Sequence, residues 1–248
     1  MKQKKKIFGL IGRNIEYSFS AKYFNKKFSK KKLENYSYKN FDIEDISEFK
    51  DIISDIKNLK GLNVTIPYKE AVIPLLDSVS KNAQVIGAVN TIVIGKKKLK
   101  GYNTDHYGFR KALKPLLQPH HQKALILGTG GASKAVAFAL RKLKIEYDFV
   151  SRRSTDVVFG YNDIDATIFE EYQIIINTTP LGTFPNVIEC PDIDYTLFTE
   201  NHIAFDLVYN PEETAFLRKA KENGAQIKNG EQMLVYQAEK AWEIWNKK

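Results

Sequence analysis

The sequence has little sulfur and no long apolar stretch. It contains a single cysteine, Cys190, which excludes an internal disulfide and a metal cluster built from several cysteines. No apolar run approaches the roughly 20 residues that cross a bilayer. The basic residues 1–6 precede only a short strand-like segment, 7–12, which is not the pattern of a signal peptide. We therefore expect a protein of the reducing cytoplasm with no membrane partner.

Acidic residues are scarce in the first half of the chain. The net charge is +9, and residues 1–105 carry 21 Lys and Arg against 11 Asp and Glu. A basic half is typical of proteins that bind nucleic acids or small anions. The lysines, however, form runs such as 30–32 and 96–98 without interleaved aromatic residues that could stack on bases. We expect solvated surfaces there and no nucleic-acid partner.

Hydrophobic residues make up 43% of the 248 residues, enough for two modest α/β domains. The hydrophobic patterns alternate between strand and helix, which predicts mainly parallel sheets covered on both faces. Strands are predicted at 7–12, 36–41, 61–65, 88–94, 99–102, 124–127, 145–150, 174–177, 203–208 and 225–228. Helices are predicted at 20–28, 43–56, 66–76, 79–85, 104–116, 132–143, near 169, and at 212–222 and 231–245. Ser20 is predicted to cap the first helix.

The centre of the chain is a strand, a glycine-rich turn and a helix. Residues 124–127 are all apolar, and the turn after them consists of Gly128, Thr129, Gly130, Gly131 and Ala132. This order is typical of the phosphate-binding opening of a Rossmann unit, because glycines let backbone N–H groups approach a pyrophosphate. The third glycine of the usual pattern is replaced by Ser133. A tight turn without a ligand is the alternative interpretation.

The residues after the next strand bear on the choice of cofactor. Asp148 stands at the spacing of an acid that binds the ribose of NAD, but two apolar residues follow it, so we place it inside the strand. Ser151, Arg152 and Arg153 follow the strand, and two guanidinium groups suit a phosphate monoester. This favours NADP, with a solvated basic turn as the alternative.

Seven further motifs occur in a fixed order along the chain. They are Ser18-Phe19-Ser20, Asn63-Val64-Thr65-Ile66-Pro67-Tyr68-Lys69, Gly87-Ala88-Val89-Asn90-Thr91, Gly101-Tyr102-Asn103-Thr104-Asp105, Asn177-Thr178-Thr179-Pro180-Leu181-Gly182, Asp206-Leu207-Val208-Tyr209-Asn210-Pro211, and Gly230-Glu231-Gln232-Met233-Leu234 with Gln237. With the glycine turn among them, they resemble the shikimate dehydrogenase family over essentially the whole chain.

The resemblance implies an N-terminal α/β substrate domain, residues 1–103, and a Rossmann-type, doubly wound NADP-binding domain, residues 104–230, with a cleft between them. It implies that the C-terminal helix, 231–248, packs back on the first domain. The implied activity is the reversible reduction of 3-dehydroshikimate to shikimate with NADPH, in aromatic amino acid biosynthesis. The implied partner is this small molecule; monomer and homodimer both remain open.

Site residues follow from the motif matches. The implied catalytic pair is Lys69 and Asp105. The implied substrate contacts are Ser18, Ser20, Thr65, Asn90, Asp105, Tyr209 and Gln237. The implied cofactor contacts are Gly128, Thr129, Gly130, Gly131, Ala132, Ser151, Arg152, Arg153, Leu207 and Gly230. No metal is implied, and the pair His120 and His121 is weak evidence for one.

The chemistry of these residues agrees with the implied reaction. Hydride transfer to or from an alcohol carbon requires a general acid or base at the oxygen, and a lysine can serve. Burial would lower the pKa of Lys69, whereas a neighbouring carboxylate would raise it, and the sequence does not decide between them. The alternative for Lys69 is an ordinary surface lysine, and for Ser20 a helix cap alone.

The chain also departs from the family pattern. Ala21, Phe24 and Asn25 stand where the family often has proline and His-Asn, and Ser151-Arg152-Arg153 replaces the usual Asn-Arg-Thr. The second departure keeps an NAD(P)-dependent dehydrogenase of quinate open as an alternative. A non-catalytic nucleotide-binding regulator is the other alternative, although Lys69 and Asp105 are both present.

Overall fold

A computed structural model describes residues 5–16, 18–96 and 98–247. Three parts of the predictions lie outside the described residues: residues 1–4 of the basic N-terminal run, Lys97 of the lysine run 96–98, and Lys248 of the predicted C-terminal helix 231–248. The chain divides into two compact units, one of Met1–Thr104 with Gln237–Lys248 and the other of Asp105–Tyr236. Within the described ranges, none of the helices has the length and apolar character needed to cross a bilayer.

The first unit is built on a six-stranded mixed sheet. Its strands are β1 (Lys6–Gly12), β2 (Tyr36–Asp42), β3 (Leu59–Val64), β4 (Ser78–Val79), β5 (Thr91–Ile94) and β6 (Leu99–Tyr102), in the order β2-β1-β3-β5-β6-β4. β1 pairs in parallel with β2 and β3, whereas β5 is antiparallel to both β3 and β6. The predicted strand pair around Gly95 is therefore confirmed, and it makes this sheet less parallel than the alternation of elements predicted.

Three α-helices accompany this sheet, α1 (Phe19–Lys30), α2 (Phe49–Asp55) and α3 (Lys81–Ile86). The predicted cap of α1 is wrong, because Ser18 is the N-cap and accepts from the Ala21 amide, while Ser20 lies in the first turn. The predicted helix at 66–76 is also wrong. The segment is a series of turns ending in a 3-10 helix, Ile73–Leu75, and Pro74 lacks the N–H that an α-helix needs there.

The second unit is an all-parallel, doubly wound sheet. Its strands are β7 (Lys123–Leu127), β8 (Glu146–Ser151), β9 (Phe159–Gly160), β10 (Ile174–Asn177), β11 (Ile203–Asp206) and β12 (Gln226–Lys228), in the order β12-β11-β10-β7-β8-β9. Its helices are α4 (Asp105–Leu113), α5 (Gly131–Leu143), α6 (Ala166–Glu171), α7 (Ala215–Glu222) and the start of α8 (Glu231–Asn246). The strand order reverses between β7 and β10, and ligands of such sheets bind at the carboxyl ends of these strands.

Each unit has its own hydrophobic core. In the second unit, Phe109 and Ile126 belong to one buried cluster, and Leu125 and Phe216 to another. Adjacent strand residues therefore face opposite sides of a doubly covered sheet. In the first unit, Ala238, Trp242 and Trp245 of α8 pack with aromatic residues of β1, β2 and α1.

Candidate substrate and dinucleotide sites

Most of the predicted substrate residues of the first unit lie at one edge of its sheet. Ser18 and Ser20 follow β1, and Thr65 and Lys69 follow β3, which is parallel to β1. Asn90 immediately precedes β5, and β5 is antiparallel to β3, so its amino end lies at this same edge. The Thr65 amide donates to Ile11 O at 2.9 Å and continues the pairing of β1 with β3. The topology therefore gathers side chains that are 70 residues apart in sequence.

Asn90 is the centre of a buried polar network. Its Oδ1 accepts from the Thr104 amide at 2.7 Å, and its Nδ2 donates to Thr104 Oγ1 at 3.0 Å. Gln237 Oε1 lies 3.4 Å from Asn90 Nδ2 and 3.3 Å from Thr104 Oγ1. All three residues are buried. These contacts fix the orientation of two amide side chains that were predicted to contact substrate.

Two residues outside the predicted site, Tyr38 and Asn63, extend this network. The Tyr38 hydroxyl donates to Asn63 Oδ1 at 2.7 Å, and Asn63 Nδ2 donates to Asn90 O at 3.1 Å. Burial raises the pKa of Tyr38 well above its usual value, and the Ser20 hydroxyl is hydrogen-bonded to its phenol oxygen. Asn63 stands in a quoted motif, but Tyr38 offered no signal beyond its place on a strand.

The reactive candidates are partly or fully shielded from solvent. Lys69 and Thr65 are half-buried in the loop after β3, and the Lys69 carbonyl accepts from the Val89 amide at 2.7 Å. In the second unit, Asp105 is buried as the first residue of α4, and Tyr209 is half-buried after β11. Ser18 is half-buried, and its oxygen already accepts from the Ala21 amide, so its proton can serve a ligand.

The glycine turn leaves room for a phosphate. A Cβ built on Gly130 would meet nothing within 4 Å, and α5 begins at the next residue. Gly128 has φ +107°, and a Cβ there would lie 2.9 Å from Thr178 Oγ1. Ser133, at the position of the third glycine, is buried and donates to Gly130 O at 2.6 Å. The turn therefore keeps its tight shape with serine at that position, and its open side fits a pyrophosphate at a helix N-terminus.

The end of β8 presents positive charge rather than a carboxylate. Arg152 and Arg153 are exposed directly after the strand, and Ser151 is its last residue. Asp148 lies inside β8, where its Oδ2 accepts from the Tyr172 hydroxyl at 2.6 Å. An acid held in this way is poorly placed to bind a ribose, whereas two exposed guanidinium groups suit the additional phosphate of NADP.

The remaining cofactor candidates meet at the end of β11. The Gly230 amide donates to Val208 O at 3.0 Å, and a Cβ on Gly230 would lie 2.1 Å from Leu207 O. The buried Asp206 beside them, which is not among the site residues predicted from the sequence, accepts from Asn177 Nδ2 at 3.0 Å. Burial raises the pKa of Asp206 to about 7. Asn177 ends the predicted strand 174–177. Asp206 lies inside the predicted strand 203–208 and is the first residue of a quoted motif, which was the available signal.

The paired histidines have partners within the fold. His120 Nε2 and His121 Nε2 lie 3.2 and 3.1 Å from the Asn201 carbonyl oxygen. Among residues 5–16, 18–96 and 98–247, no three His, Cys, Asp or Glu side chains group in a way that could hold a metal ion.

Comparison with known proteins gives matches along the whole chain. Residues 10–92 match the family model described as the shikimate dehydrogenase substrate binding domain. A shikimate dehydrogenase (NADP(+)) of Methanococcus aeolicus is 37% identical, covering 98% of this chain and 92% of the relative. One from Clostridium botulinum is 38% identical, covering 96% and 95%.

A solved structure is also similar to this chain over nearly its whole length. The shikimate 5-dehydrogenase of Thermus thermophilus, determined in complex with NADP(H) and shikimate, superposes with a TM-score of 0.86 at 33% identity. The superposition covers 97% of this chain and 93% of that one.

Proposed function

Because the chain belongs to the shikimate dehydrogenase family, we propose that it is an NADP-dependent oxidoreductase that interconverts 3-dehydroshikimate and shikimate. The observation that carries this proposal is the match over 98% of the chain to a relative named for this activity. Reduction of 3-dehydroshikimate with NADPH is the proposed biosynthetic direction.

In this proposal the first unit binds the substrate. A carboxylate needs hydrogen-bond donors, and Ser18 can donate while its oxygen caps α1. Ser20 is buried near Tyr38, and its hydroxyl is proposed as a second donor to the carboxylate. Thr65, Asn90 and Gln237 carry the mixed donors and acceptors that ring hydroxyls require, and Tyr209 of the second unit adds one more.

Lys69 is the proposed general acid and base. In shikimate oxidation, it takes the proton from the reacting hydroxyl, and in the reverse direction it returns this proton to the carbonyl oxygen. Asp105 is the proposed partner that binds a substrate hydroxyl and orients the ammonium. The nicotinamide ring, when bound, accepts or supplies the hydride. The support for the paired roles of Lys69 and Asp105 is the motif match.

The second unit is the proposed NADP(H) domain. Residues 128–132 would hold the pyrophosphate, because the open side of Gly130 adjoins the N-terminus of α5. Ser151, Arg152 and Arg153 would hold the additional phosphate of NADP, and Leu207 and Gly230 would border the rest of the cofactor.

The test is an absorbance assay of NADP reduction with shikimate, repeated with NAD and with quinate. We expect turnover with shikimate and NADP, and a strong loss with either replacement. Equal or better turnover of quinate with NAD would make this chain a quinate dehydrogenase instead. Absence of turnover in every combination would favour a non-catalytic regulator.

A substitution tests the proposed base. Lys69→Ala should lower kcat by roughly a hundredfold or more, the usual contribution of a general acid or base, while calorimetry still detects shikimate binding. Lys81→Ala, an exposed lysine at the start of α3, is the matched control and should retain wild-type turnover. Near-normal turnover of Lys69→Ala with bound substrate would refute the role.

A further inference from the structure

We propose that Asp206 is a positioning residue for NADP(H), which acts by joining the two loops that follow β10 and β11. This inference rests on the proposed function, because that function assigns Leu207 and Gly230 to the cofactor. Asp206 was not among the residues selected from the sequence, and it is fully buried at the end of β11.

The two oxygens of the Asp206 carboxyl have different partners. Oδ1 accepts from Asn177 Nδ2 at 3.0 Å and from the Val208 amide at 2.9 Å. Oδ2 accepts from Thr214 Oγ1 at 2.6 Å. Oδ1 therefore connects two loops at the carboxyl edge of the sheet, whereas Oδ2 connects the strand to Thr214, the N-cap of α7.

The bond to Asn177 continues toward the glycine turn. Asn177 Oδ1 accepts from both the amide and the hydroxyl of Thr179, at 3.0 and 2.6 Å, which fixes the loop after β10. Thr178, inside that loop, donates through its hydroxyl to Leu127 O at 2.7 Å. Leu127 is the last residue before Gly128, so one connected set of bonds runs from Asp206 to the start of the phosphate-binding turn.

The bond to Val208 continues toward Gly230. The Gly230 amide donates to Val208 O, and the backbone at Gly230 contacts the Leu207 carbonyl too closely for any side chain. A shift of the Leu207–Val208 backbone would therefore displace Gly230 as well. Asp206 is placed where a single acceptor atom, Oδ1, sets the positions of the loops assigned to the cofactor.

The arrangement also explains why the residue is acidic. All three partners donate, and an ionised carboxylate is the side chain that accepts on both oxygens without offering a proton. Burial nevertheless raises the pKa of Asp206 to about 7, so its charge is held in an unfavourable environment. A neutral amide could retain the Oδ1 contacts, because the Thr214 hydroxyl can rotate and accept from the new NH₂ group.

The experiment measures NADPH binding directly, by titrating the intact protein and following nicotinamide fluorescence. Asp206→Ala should raise the NADPH Kd about tenfold or more, as expected when buried bonds to a charged group are lost. Asp206→Asn should stay within about threefold of the wild type, since its amide oxygen replaces Oδ1. Thr214→Val removes the Oδ2 bond and serves as the control for a purely structural role; it should lower Tm but change Kd less than about twofold.

Two results would overturn the proposal. One is a folded Asp206→Ala protein with a Kd within twofold of the wild type, and the other is a Thr214→Val protein that loses as much affinity as Asp206→Ala. If Asp206→Ala does not fold, Asn177→Ala breaks the other end of the same bond and must raise Kd at least severalfold. A wild-type protein that binds NADPH but does not turn over shikimate would refute the proposed function and leave this binding test valid.

Discussion

Gly61 of β3 lies directly against the indole ring of Trp245. A Cβ built on Gly61 would stand 2.2 Å from Trp245 Nε1, well inside any permitted contact. The indole N–H donates to Ile92 O at 2.9 Å, so the ring crosses from β3 to β5. This contact accounts for a glycine inside a strand, where glycine is otherwise unfavourable.

Gly61→Ala should therefore destabilise the first unit by about 1–3 kcal/mol, the usual range for overpacking a tight core. Chemical denaturation measures the loss. In a Trp245→Leu background, which removes the ring, the same substitution should cost much less. Equal costs in the two backgrounds would show that the contact with Trp245 does not exclude a side chain at position 61.

Gly12, at the end of β1, makes a similar contact with a proposed substrate residue. A Cβ there would lie 2.4 Å from Thr65 Cγ2. Gly12→Ala should displace Thr65 and raise the KM for shikimate roughly fivefold, about 1 kcal/mol of lost binding. Gly9→Ala on the same strand is the control, since its Cβ would meet Phe41 Cε2 at 2.3 Å instead. Gly9→Ala should lower the free energy of unfolding without changing KM. If both variants raised KM equally, the cause would be distortion of β1 and not the contact between position 12 and Thr65.

The second unit could be predicted from sequence because its signals are local. Fully buried parallel strands give continuous apolar runs, so 174–177 was predicted with the bounds of β10. The glycine turn marks the junction of β7 and α5 independently of the rest of the fold. The two-residue strands β4 and β9 were missed, since two residues carry no periodicity.

The first unit was harder to predict because tertiary contacts decide its loops. The segment 66–76 has helical spacing, yet Tyr68 turns inward and donates to Ile43 O at 2.8 Å. Ser18 and Ser20 both suit a helix cap, and only the chain path shows that Ser20 is buried beside Tyr38.

Site residues are predictable from sequence where they stand in a local motif. Motifs identified the residues that would face ligands, such as Lys69 and Asn90. They did not identify Tyr38 or Asp206, whose roles depend on partners 25 and 29 residues away in sequence. Such partners become neighbours only through sheet pairing, for example the register that places Asn177 of β10 opposite Asp206 of β11.

Two buried histidines of the second unit predict a loss of stability in acid. His121 Nδ1 accepts from the Gln118 amide at 2.8 Å, and His202 Nδ1 accepts from the Thr199 amide at 3.1 Å. Each Nε2 faces a carbonyl oxygen, Asn201 O and Phe169 O respectively, so the neutral ring with its proton on Nε2 fits both sites. Burial lowers the pKa of both rings below 6.5.

The unfolded chain therefore binds these protons at a higher pH than the folded protein does. The contribution of the two neutral histidines to the free energy of unfolding is complete above about pH 6.5 and is lost as the pH falls below that value. Denaturation of the Asp206→Asn protein, which lacks the buried carboxyl with the opposite pH dependence, should show the decline between about pH 5 and 8. Nitrogen NMR of the two imidazoles should still show neutral rings at about pH 6, and cationic rings at that pH would contradict the prediction.

The buried carboxyl of Asp206 predicts the opposite slope. Its pKa is about 7 in the folded protein against 3.8 for the unperturbed group, so the folded state keeps its proton to higher pH than the unfolded state. Stability from this group is therefore lost as the pH rises from about 4 to 7, up to roughly 4 kcal/mol in all.

The Asp206→Asn protein isolates this contribution, because the histidines are common to both proteins and cancel in the difference. The amide does not ionise, so the unfolding free energy of Asp206→Asn relative to the wild type should rise between about pH 5 and 7 and level off above pH 7. Urea denaturation of the two proteins at matched pH values measures that difference. A constant difference across this range would mean that the carboxyl is already ionised at pH 5, and that its three donors outweigh the effect of burial.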